Sequence, residues 1–157
     1  GGVRSNGSFT VTNPKSDNKI GGAATNANQL FPELTKAIFE LEEMLSKEKR
    51  DRITVDTLQP DALQERIPSS HCAVNCNAQF TPHVDSGIGS GQSLSMIVGL
   101  GDYHGGELSV ENKMFDIRYR PIEFDGWKLR HWTNHFQGER FSLVWFTPET
   151  KTLAEKQ

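Results

Sequence analysis

The chain has only two cysteines, Cys72 and Cys76, among its 157 residues. They lie four residues apart in a segment that reads as a strand, which separates their Cα atoms by about 13 Å. A disulfide requires Cα atoms within about 7 Å, so this pair cannot be bridged. The lack of a disulfide framework is typical of a reducing compartment, and we expect an intracellular protein, cytoplasmic or nuclear.

Long apolar runs and excess positive charge are also absent. No apolar stretch approaches the roughly 20 residues of a membrane span, so we expect no membrane partner. The first residues, "GGVRSNGSFTVTNPKSDNK", lack the apolar core of a signal peptide and the Arg-rich pattern of a transit peptide. The net charge of -3 argues against a broad nucleic-acid-binding surface, although it leaves room for a local basic groove.

Composition divides the chain into two parts. Residues 1–27 are rich in Gly, Ser, Asn and Thr, and we predict a flexible N-terminal arm with one short strand at "SFTVT". Residues 28–157 carry the apolar periodicity of a folded domain.

One strong helix is predicted over residues 28–49. Asn28 is suited to the N-cap, and Pro32 falls in the first turn, where its missing N–H costs nothing. An apolar stripe at helical spacing indicates packing against one face of a sheet; it consists of Leu34, Ile38, Leu41 and Leu45.

The remainder of the chain reads as about eight short strands separated by glycine, proline or acidic residues. Their segments are "RITVDTL", "HCAVNCNAQF", "SLSMIVGL", "GELSV", "MFDIRY", "PIEFD", "KLRHW" and "RFSLVWF". The pattern predicts a mostly β (α+β) fold, an antiparallel sandwich or small barrel packed against the helix. In "GLGDYHGGELSV", Gly105 and Gly106 are expected to supply unusual backbone angles at a turn.

The stretch "TPHVDSG" holds a candidate pair of metal ligands. His83 and Asp85 are two residues apart, so both side chains point to the same face of an extended segment. Imidazole and carboxylate are both good Fe(II) ligands, and one more histidine would complete a facial triad with open positions. His131, on a predicted strand, and His135, in the following loop, are the candidates for the third ligand.

Arg140 stands out on the final strand. Arg140, Ser142 and Val144 share one strand face, and the segment is otherwise mostly apolar. A buried arginine needs an anionic partner, and no acidic residue close in sequence is an obvious one. An incoming dicarboxylate, gripped by the guanidinium in a bidentate way, would fill that role, with the Ser142 hydroxyl as a second donor.

Together these motifs resemble the Fe(II)/2-oxoglutarate-dependent dioxygenase superfamily, over roughly residues 70–147. The resemblance rests on "VNCNAQFTPHVDSG", "SMIVGLGDYHGGELSV", "RPIEFDGWKLRHW" and "FQGERFSLVWFT". It is nearest to the TET/JBP-like oxygenase domains. It implies a double-stranded β-helix, a jelly-roll or cupin-like core, with the N-terminal helix packed on it. It further implies an enzyme that uses Fe(II), 2-oxoglutarate and O2, with ascorbate as an optional reductant.

The resemblance also implies roles for individual residues. His83, Asp85 and His131 match the iron ligands, because the family spacing prefers His131 to His135. Arg140 matches the residue that pairs with the distal carboxylate of 2-oxoglutarate, and Ser142 matches its hydroxyl neighbour. On the adjacent pocket-lining strand, Asn75 and Asn77 match positions that help to hold the co-substrate.

For the substrate, the TET/JBP-like subgroup implies the methyl group of a 5-methylpyrimidine in nucleic acid. Phosphate contacts would then be expected from Lys113, Arg118 and Arg120, with Arg4, Lys15 and Lys19 on the arm. The chain departs from that subgroup in its short length and slightly acidic charge. Two alternatives therefore stay open: a hydroxylase of a protein side chain or small metabolite, and a non-catalytic jelly-roll binding module.

Overall fold

The computed structural model describes residues 3–15, 25–55, 58–62, 66–85 and 94–148. Two helices are present in these ranges, α1 (Asn26–Leu30) and α2 (Pro32–Ser46). The first seven strands are β1 (Val3–Arg4), β2 (Gly7–Thr12), β3 (Arg50–Ile53), β4 (Leu58–Ala62), β5 (His71–Cys76), β6 (Gln79–Phe80) and β7 (Ser95–Leu100). The others are β8 (Tyr103–Gly105), β9 (Leu108–Val110), β10 (Lys113–Phe115), β11 (Ile122–Phe124), β12 (His131–Thr133), β13 (Phe136–Gly138) and β14 (Phe141–Phe146).

The described strands form one large sheet and three small ones. The large sheet has the order β2-β5-β14-β7-β11-β3-β4, and its pairs are antiparallel except for the parallel pair β3 and β11. A three-stranded sheet has the order β10-β9-β12, and two-stranded sheets join β1 to β6 and β8 to β13. The predicted mostly-β class is confirmed.

The large sheet buries both of its faces. Along β14, Leu143 and Trp145 point to one face, while Val144 and Phe146 point to the other. The first face packs against α2 in a core of Val11, Ile38, Phe39, Cys72, Met96, Val98, Leu143 and Trp145. The second face packs against the three-stranded sheet in a core of Ile53, Ile97, Leu108, Val110, Ile117, Ile122, Phe124 and Leu129. The predicted packing of the helix on one sheet face is therefore confirmed.

The single predicted helix is divided in two. Phe31 adopts φ -130° and ψ 61°, which ends α1 and places Pro32 at the start of α2. This break follows from the proline, because the residue before a proline is disfavoured in the helical region. The N-cap of α1 is Thr25, not Asn28; Asn28 instead bonds the backbone N–H and C=O of Thr12 at 2.8 and 2.7 Å.

The buried side of α2 differs in part from the predicted stripe. Ile38 is buried, and Leu41 and Leu45 pack at the margin of the same core, but Leu34 is 43% exposed. Phe39 fills the core, and the helix ends at Ser46, not at residue 49. Neither helix in the described part of the chain is long and apolar enough to cross a membrane.

Part of the predicted N-terminal arm belongs to the main sheet. The strand predicted at "SFTVT" is present as β2, which pairs along its whole length with β5. Val11 is completely buried in the core beside α2, and β1 pairs with β6. A flexible arm is therefore the wrong description of residues 7–12, whereas residues 16–24 lie outside the described residues.

The predicted and the observed strands differ in several places. "HCAVNCNAQF" is interrupted after Cys76, because Asn77 adopts a left-handed conformation with φ 50°. In "MFDIRY" only the first residues continue a strand, β10. The short pair β8 and β13 was not predicted, although the expected turn angles occur at Gly105 (φ 79°) and Gly106 (φ 68°). Cys72 and Cys76 are both free thiols, as expected.

A buried ion cluster holds the large sheet to its neighbours. The Glu123 carboxylate on β11 accepts hydrogen bonds from Nε of Arg50 and Nε of Arg52, at 2.7 and 2.6 Å, from the parallel strand β3. Arg66 pairs with Glu42 on α2 and lies 3.4 Å from Glu123 through its Nε. The Glu123 side chain is 0% exposed, so the sheet, the helix and the segment at Arg66 meet in one desolvated network.

We predict that Glu123→Gln lowers the free energy of unfolding by about 3–5 kcal/mol, because it deprives buried guanidinium groups of their carboxylate. Chemical denaturation measures the change. The control is Glu40→Gln, which removes the exposed pair Lys36–Glu40 (3.9 Å) and should alter stability by less than about 0.5 kcal/mol. Equal effects of the two substitutions would contradict a stabilising role for the buried cluster.

Candidate functional site

His83 and His131 face each other across a single antiparallel bridge. The N–H of His83 donates to the carbonyl of His131 at 3.1 Å, and the N–H of His131 donates back at 2.9 Å. His131 is the first residue of β12, as predicted for a ligand on a strand. The backbone pairing brings the two imidazole rings to a centroid distance of 4.4 Å.

The two rings are oriented by backbone carbonyls. Nδ1 of His83 lies 2.7 Å from the carbonyl of Thr81, and Nδ1 of His131 lies 2.9 Å from the carbonyl of Leu129. A carbonyl can only accept, so Nδ1 carries the proton in each ring and Nε2 of the neutral ring keeps its lone pair. This arrangement fixes the tautomer that presents Nε2 to a metal ion.

Asp85 completes the cluster. Its Oδ1 lies 3.1 Å from Nε2 of His83 and 3.3 Å from Nε2 of His131. Potential ligand atoms of the three residues all lie within 4.8 Å of one another. For His131, burial lowers the pKa, but the hydrogen bond and charge of Asp85 outweigh it and the net pKa is raised. A metal ion binds the neutral imidazole, so it would displace any proton carried by Nε2 of His131.

Gly126 makes room for the cluster, a role that sequence reasoning missed. The backbone N–H of Asp85 donates to the carbonyl of Gly126 at 2.9 Å. A Cβ at Gly126 would lie 2.6 Å from Oδ2 of Asp85 and 3.1 Å from Cε1 of His131. The sequence segment "EFDG" suggested only a tight turn, and no local signal indicated this contact.

His135, the rival third ligand, is not part of this cluster. Its side chain is exposed, and its backbone carbonyl accepts a hydrogen bond from the N–H of Gly106. The structure therefore brings together His83, Asp85 and His131, as expected from the sequence, and leaves His135 outside.

Arg140 is buried on the wall of the same cavity, with 1% of its surface exposed. Its Nη1 and Nη2 donate to the carbonyls of Ala78 and Gly106 over 3.5 and 3.2 Å, which are long for N–H···O bonds. Its Nε has no hydrogen-bond partner among the residues that the structure describes, and the guanidinium lies 5.6 Å from the ring centroids of Tyr103 and Phe136. Burial lowers the pKa of Arg140, while Tyr103 and Glu107 act in the opposite direction.

The other buried arginines have a different environment. Arg50, Arg52 and Arg66 all form ion pairs with Glu42 or Glu123, whereas no carboxylate of the described residues forms an ion pair with Arg140. A buried cation served only by carbonyls and aromatic rings is suited to receive an anionic ligand.

Asn75 and Ser142 lie beside Arg140, in register on adjacent strands. Asn75 donates through Nδ2 to Oγ of Ser142 at 3.2 Å and accepts from Oγ of Ser8 at 2.8 Å. Both residues line the cavity, as the sequence predicts.

Asn77 is not one of the described residues that line the cavity. Its left-handed backbone instead lets its Oδ1 accept a hydrogen bond from the backbone N–H of Arg140 at 2.7 Å. Asn77 thus positions the Arg140 backbone.

The cavity has a volume of about 290 Å³ and lies between the large sheet and the three-stranded sheet. The metal-ligand cluster and Arg140 both open onto it. Trp127 and Trp132 contribute to its wall, in line with the rim or core packing that their positions suggest.

Tyr103 and Gly106 are further residues that sequence reasoning missed. The Tyr103 ring is covered by two guanidinium groups, Arg140 at 5.6 Å and Arg118 at 5.7 Å. A Cβ at Gly106 would lie 2.8 Å from Nε of Arg140, so only glycine lets the guanidinium occupy this site. The paired glycines of "HGGEL" indicate that another group approaches the backbone closely, but they do not indicate that this group is Arg140.

The cations proposed to contact phosphate are mostly engaged elsewhere. Arg118 lies 3.8 Å from Asp102, Arg120 lies 3.8 Å from Asp51, and Lys15 lies 3.3 Å from Glu43. Lys113 is exposed on β10. The side chain of Arg4 and the whole of Lys19 lie outside the described residues.

No model of a known protein family matches this chain, and no curated protein matches it. The chemistry of the site must therefore be inferred from its own atoms. Two imidazole nitrogens and one carboxylate oxygen are the donor set of Fe(II) sites that keep positions open for substrates. A structural zinc site, in contrast, is usually closed by four protein ligands.

We expect His131→Ala to weaken divalent metal binding by more than about 100-fold, because it removes a direct ligand. Titration of Fe(II) under anaerobic conditions measures the affinity. His135→Ala is the matched control and should leave the affinity unchanged. A large loss of affinity with His135→Ala and none with His131→Ala would show that His135, not His131, is the third ligand.

Gly126→Ala should weaken metal binding about 10- to 100-fold, because the new methyl group displaces the Asp85 carboxylate. The thermal unfolding midpoint without metal should fall as well, because the same methyl group would lie 2.9 Å from Cε2 of the buried Phe124. An unchanged metal affinity would show that Asp85 is not a ligand in its present position.

Proposed function

We propose that this protein is an Fe(II)- and 2-oxoglutarate-dependent dioxygenase. The observation that carries the proposal is the presence, in one cavity, of an oriented His-Asp-His cluster and a buried arginine that forms no ion pair with the described residues. The first supplies the facial donor set for iron. The second supplies the fork that would bind the distal carboxylate of the co-substrate.

We also propose that the core is a double-stranded β-helix. Eight strand segments are divided between two facing sheets: β5, β7, β11 and β14 in one, and the segment at His83, β9, β10 and β12 in the other. If the eight segments are numbered in chain order, the neighbours in the large sheet are the first, eighth, third and sixth (β5, β14, β7 and β11). The neighbours in the small sheet are the second, seventh, fourth and fifth (the segment at His83, β12, β9 and β10). This winding is that of two Greek keys in a jelly roll, which supports the proposal.

When bound, iron supplies the redox chemistry: a C–H bond, 2-oxoglutarate and O2 become an alcohol, succinate and CO2. The chain's own residues bind and orient. The carbonyls of Thr81 and Leu129 hold the Nδ1 protons, so that both Nε2 atoms face the metal position. Arg140 pairs with the distal carboxylate, Ser142 donates beside it, and the apolar walls keep water out.

The main alternative is a non-catalytic jelly-roll module. The intact donor set and the unpaired guanidinium favour an enzyme. For the substrate, a methylated base stays an expectation from resemblance; the exposed ion pairs of Lys15, Arg118 and Arg120 are weak and leave these cations accessible. The core chemistry would serve a protein side chain or metabolite equally well.

Purified protein with Fe(II), 2-oxoglutarate, O2 and ascorbate should form succinate slowly without any further substrate. Arg140→Lys keeps the charge but loses the fork, so the concentration of 2-oxoglutarate needed for half-maximal rate should rise about 10- to 100-fold. The control is Arg130→Lys, which changes an exposed arginine directly before β12 and should not alter the 2-oxoglutarate requirement.

Two results would count against the proposal. Complete absence of succinate in the iron-loaded protein would favour the binding module. An unchanged 2-oxoglutarate requirement in Arg140→Lys would remove Arg140 from the co-substrate site.

A further inference from the structure

The cavity floor changes character along β14. Arg140 and Ser142 lie at one end, Val144 lies in the middle, and Phe146 lies at the other end. Ser142 is level with Asn75 on β5, which extends the polar end across two strands. Val144 is level with Ala73 on β5 and Ile97 on β7, so the middle is apolar.

The far end is aromatic. Phe124 on β11 pairs with Ser95 on β7, and Trp145 pairs with Met96, so Phe146 lies level with Ser95 and Phe124. We call Phe124 and Phe146 the aromatic row. The metal-ligand cluster adjoins it, because the Phe124 ring meets the His131 ring edge-on at a centroid distance of 5.0 Å.

The aromatic row carries no charge at neutral pH. His71 stacks on Phe146 with ring centroids 5.3 Å apart, and its Nδ1 lies 2.6 Å from Oγ of Ser70. Burial lowers the pKa of His71 from its ordinary value, so the ring is neutral at pH 7. Nothing in this stack offers an ionic partner to a ligand.

The co-substrate cannot fill this end of the cavity. Its five-carbon chain has four C–C bonds of about 1.5 Å, which limit it to about 6 Å. Ser142 and Phe146 are four strand residues apart, or about 13 Å. A 2-oxoglutarate held at Arg140 and Ser142 therefore ends well before the Phe146 side chain.

The remaining lining excludes charged groups. Among the described residues that line the cavity, the charged ones are Asp85 and Arg140, and both have roles in the proposed function. An anion placed against the aromatic row would lose its hydration without gaining a partner, and an ammonium group would gain only a cation–π contact that is weaker than the hydration it loses. The volume of about 290 Å³ is at the lower limit of ligand pockets, so only the reacting group of a large substrate would enter.

We infer that the aromatic row is the subsite for the group that is hydroxylated, and that this group is an uncharged hydrocarbon, aliphatic or aromatic. The inference rests on the proposed function and adds the class of substrate. A hydrophobic amino-acid side chain and a free apolar metabolite share this chemistry. Ammonium, carboxylate and phosphate groups are excluded from this end of the cavity.

The test uses protein loaded with Mn(II) in place of iron and saturated with 2-oxoglutarate. Three probes share one ring and differ in charge: benzyl alcohol, benzylamine and benzyl phosphate. Bound near Mn(II), a probe shows faster proton relaxation, which reports both affinity and proximity to the metal. We expect saturable enhancement for benzyl alcohol, and affinity at least 10-fold weaker for the two charged probes.

Variants locate the probe. Phe146→Ser should weaken benzyl alcohol binding about 10-fold or more, because it removes most of the apolar contact, while 2-oxoglutarate affinity stays unchanged. Val144→Thr, which keeps the shape and adds a hydroxyl, is a second variant that is expected to fold and to weaken the probe to a smaller extent. Phe141→Ser changes an exposed phenylalanine on the opposite face of β14 and should have no effect.

The outcomes separate the inference from the proposed function. Failure to bind Mn(II) would overturn both. Normal Mn(II) and 2-oxoglutarate binding, with a charged probe bound as tightly as the alcohol or with no effect of Phe146→Ser, would overturn the inference alone. Displacement of benzyl alcohol by a 5-methylcytosine oligonucleotide would assign the group to the methyl group of a base. Displacement by a short peptide with a central phenylalanine assigns the group to a polypeptide, and displacement by small apolar compounds alone assigns it to a metabolite.

Discussion

The Glu123 carboxylate holds the architecture of this protein together. It accepts hydrogen bonds from Arg50 and Arg52 across the parallel pair of strands and meets Arg66, which is bound in turn to the helix through Glu42. The next residue on β11 is Phe124, whose ring packs against His131 on the opposite face of the sheet. The ion cluster on one face therefore fixes the strand that supports the metal-ligand cluster on the other.

Two kinds of buried arginine coexist in this fold, and the difference between them is informative. In the Glu123 cluster, desolvation is offset by carboxylates that fold into place with the cations. At Arg140 the described part of the chain offers long hydrogen bonds to carbonyls and the faces of two rings, and it gives Nε no hydrogen-bond partner. The native state thus retains an unfavourable desolvation term that an anionic ligand would relieve. Binding of such a ligand and stability of the fold are consequently linked.

Much of the fold and of the site followed from the sequence, for local reasons. Alternation along "RFSLVWF" predicted which side chains of β14 share a face, and the two-residue spacing of His83 and Asp85 predicted their proximity. What sequence could not provide depended on tertiary contacts. Asn28 does not cap α1, because its side chain bonds the backbone of β2. Asn77 does not line the cavity, because its backbone turns at the end of β5. The Glu123 cluster joins residues more than 70 positions apart, beyond the range of any periodic pattern.

The bridge between His83 and His131 has a consequence for the order of events during folding. These residues are about fifty positions apart, and their rings meet because the segment at His83 pairs with β12, which in turn pairs with β9. Closing such a long loop is entropically slow, so contacts of this kind form late. An incompletely folded chain would therefore offer only His83 and Asp85 of the three candidate ligands. Tight binding of a metal ion would require the complete fold, in which Arg140 and the cavity walls are already in place.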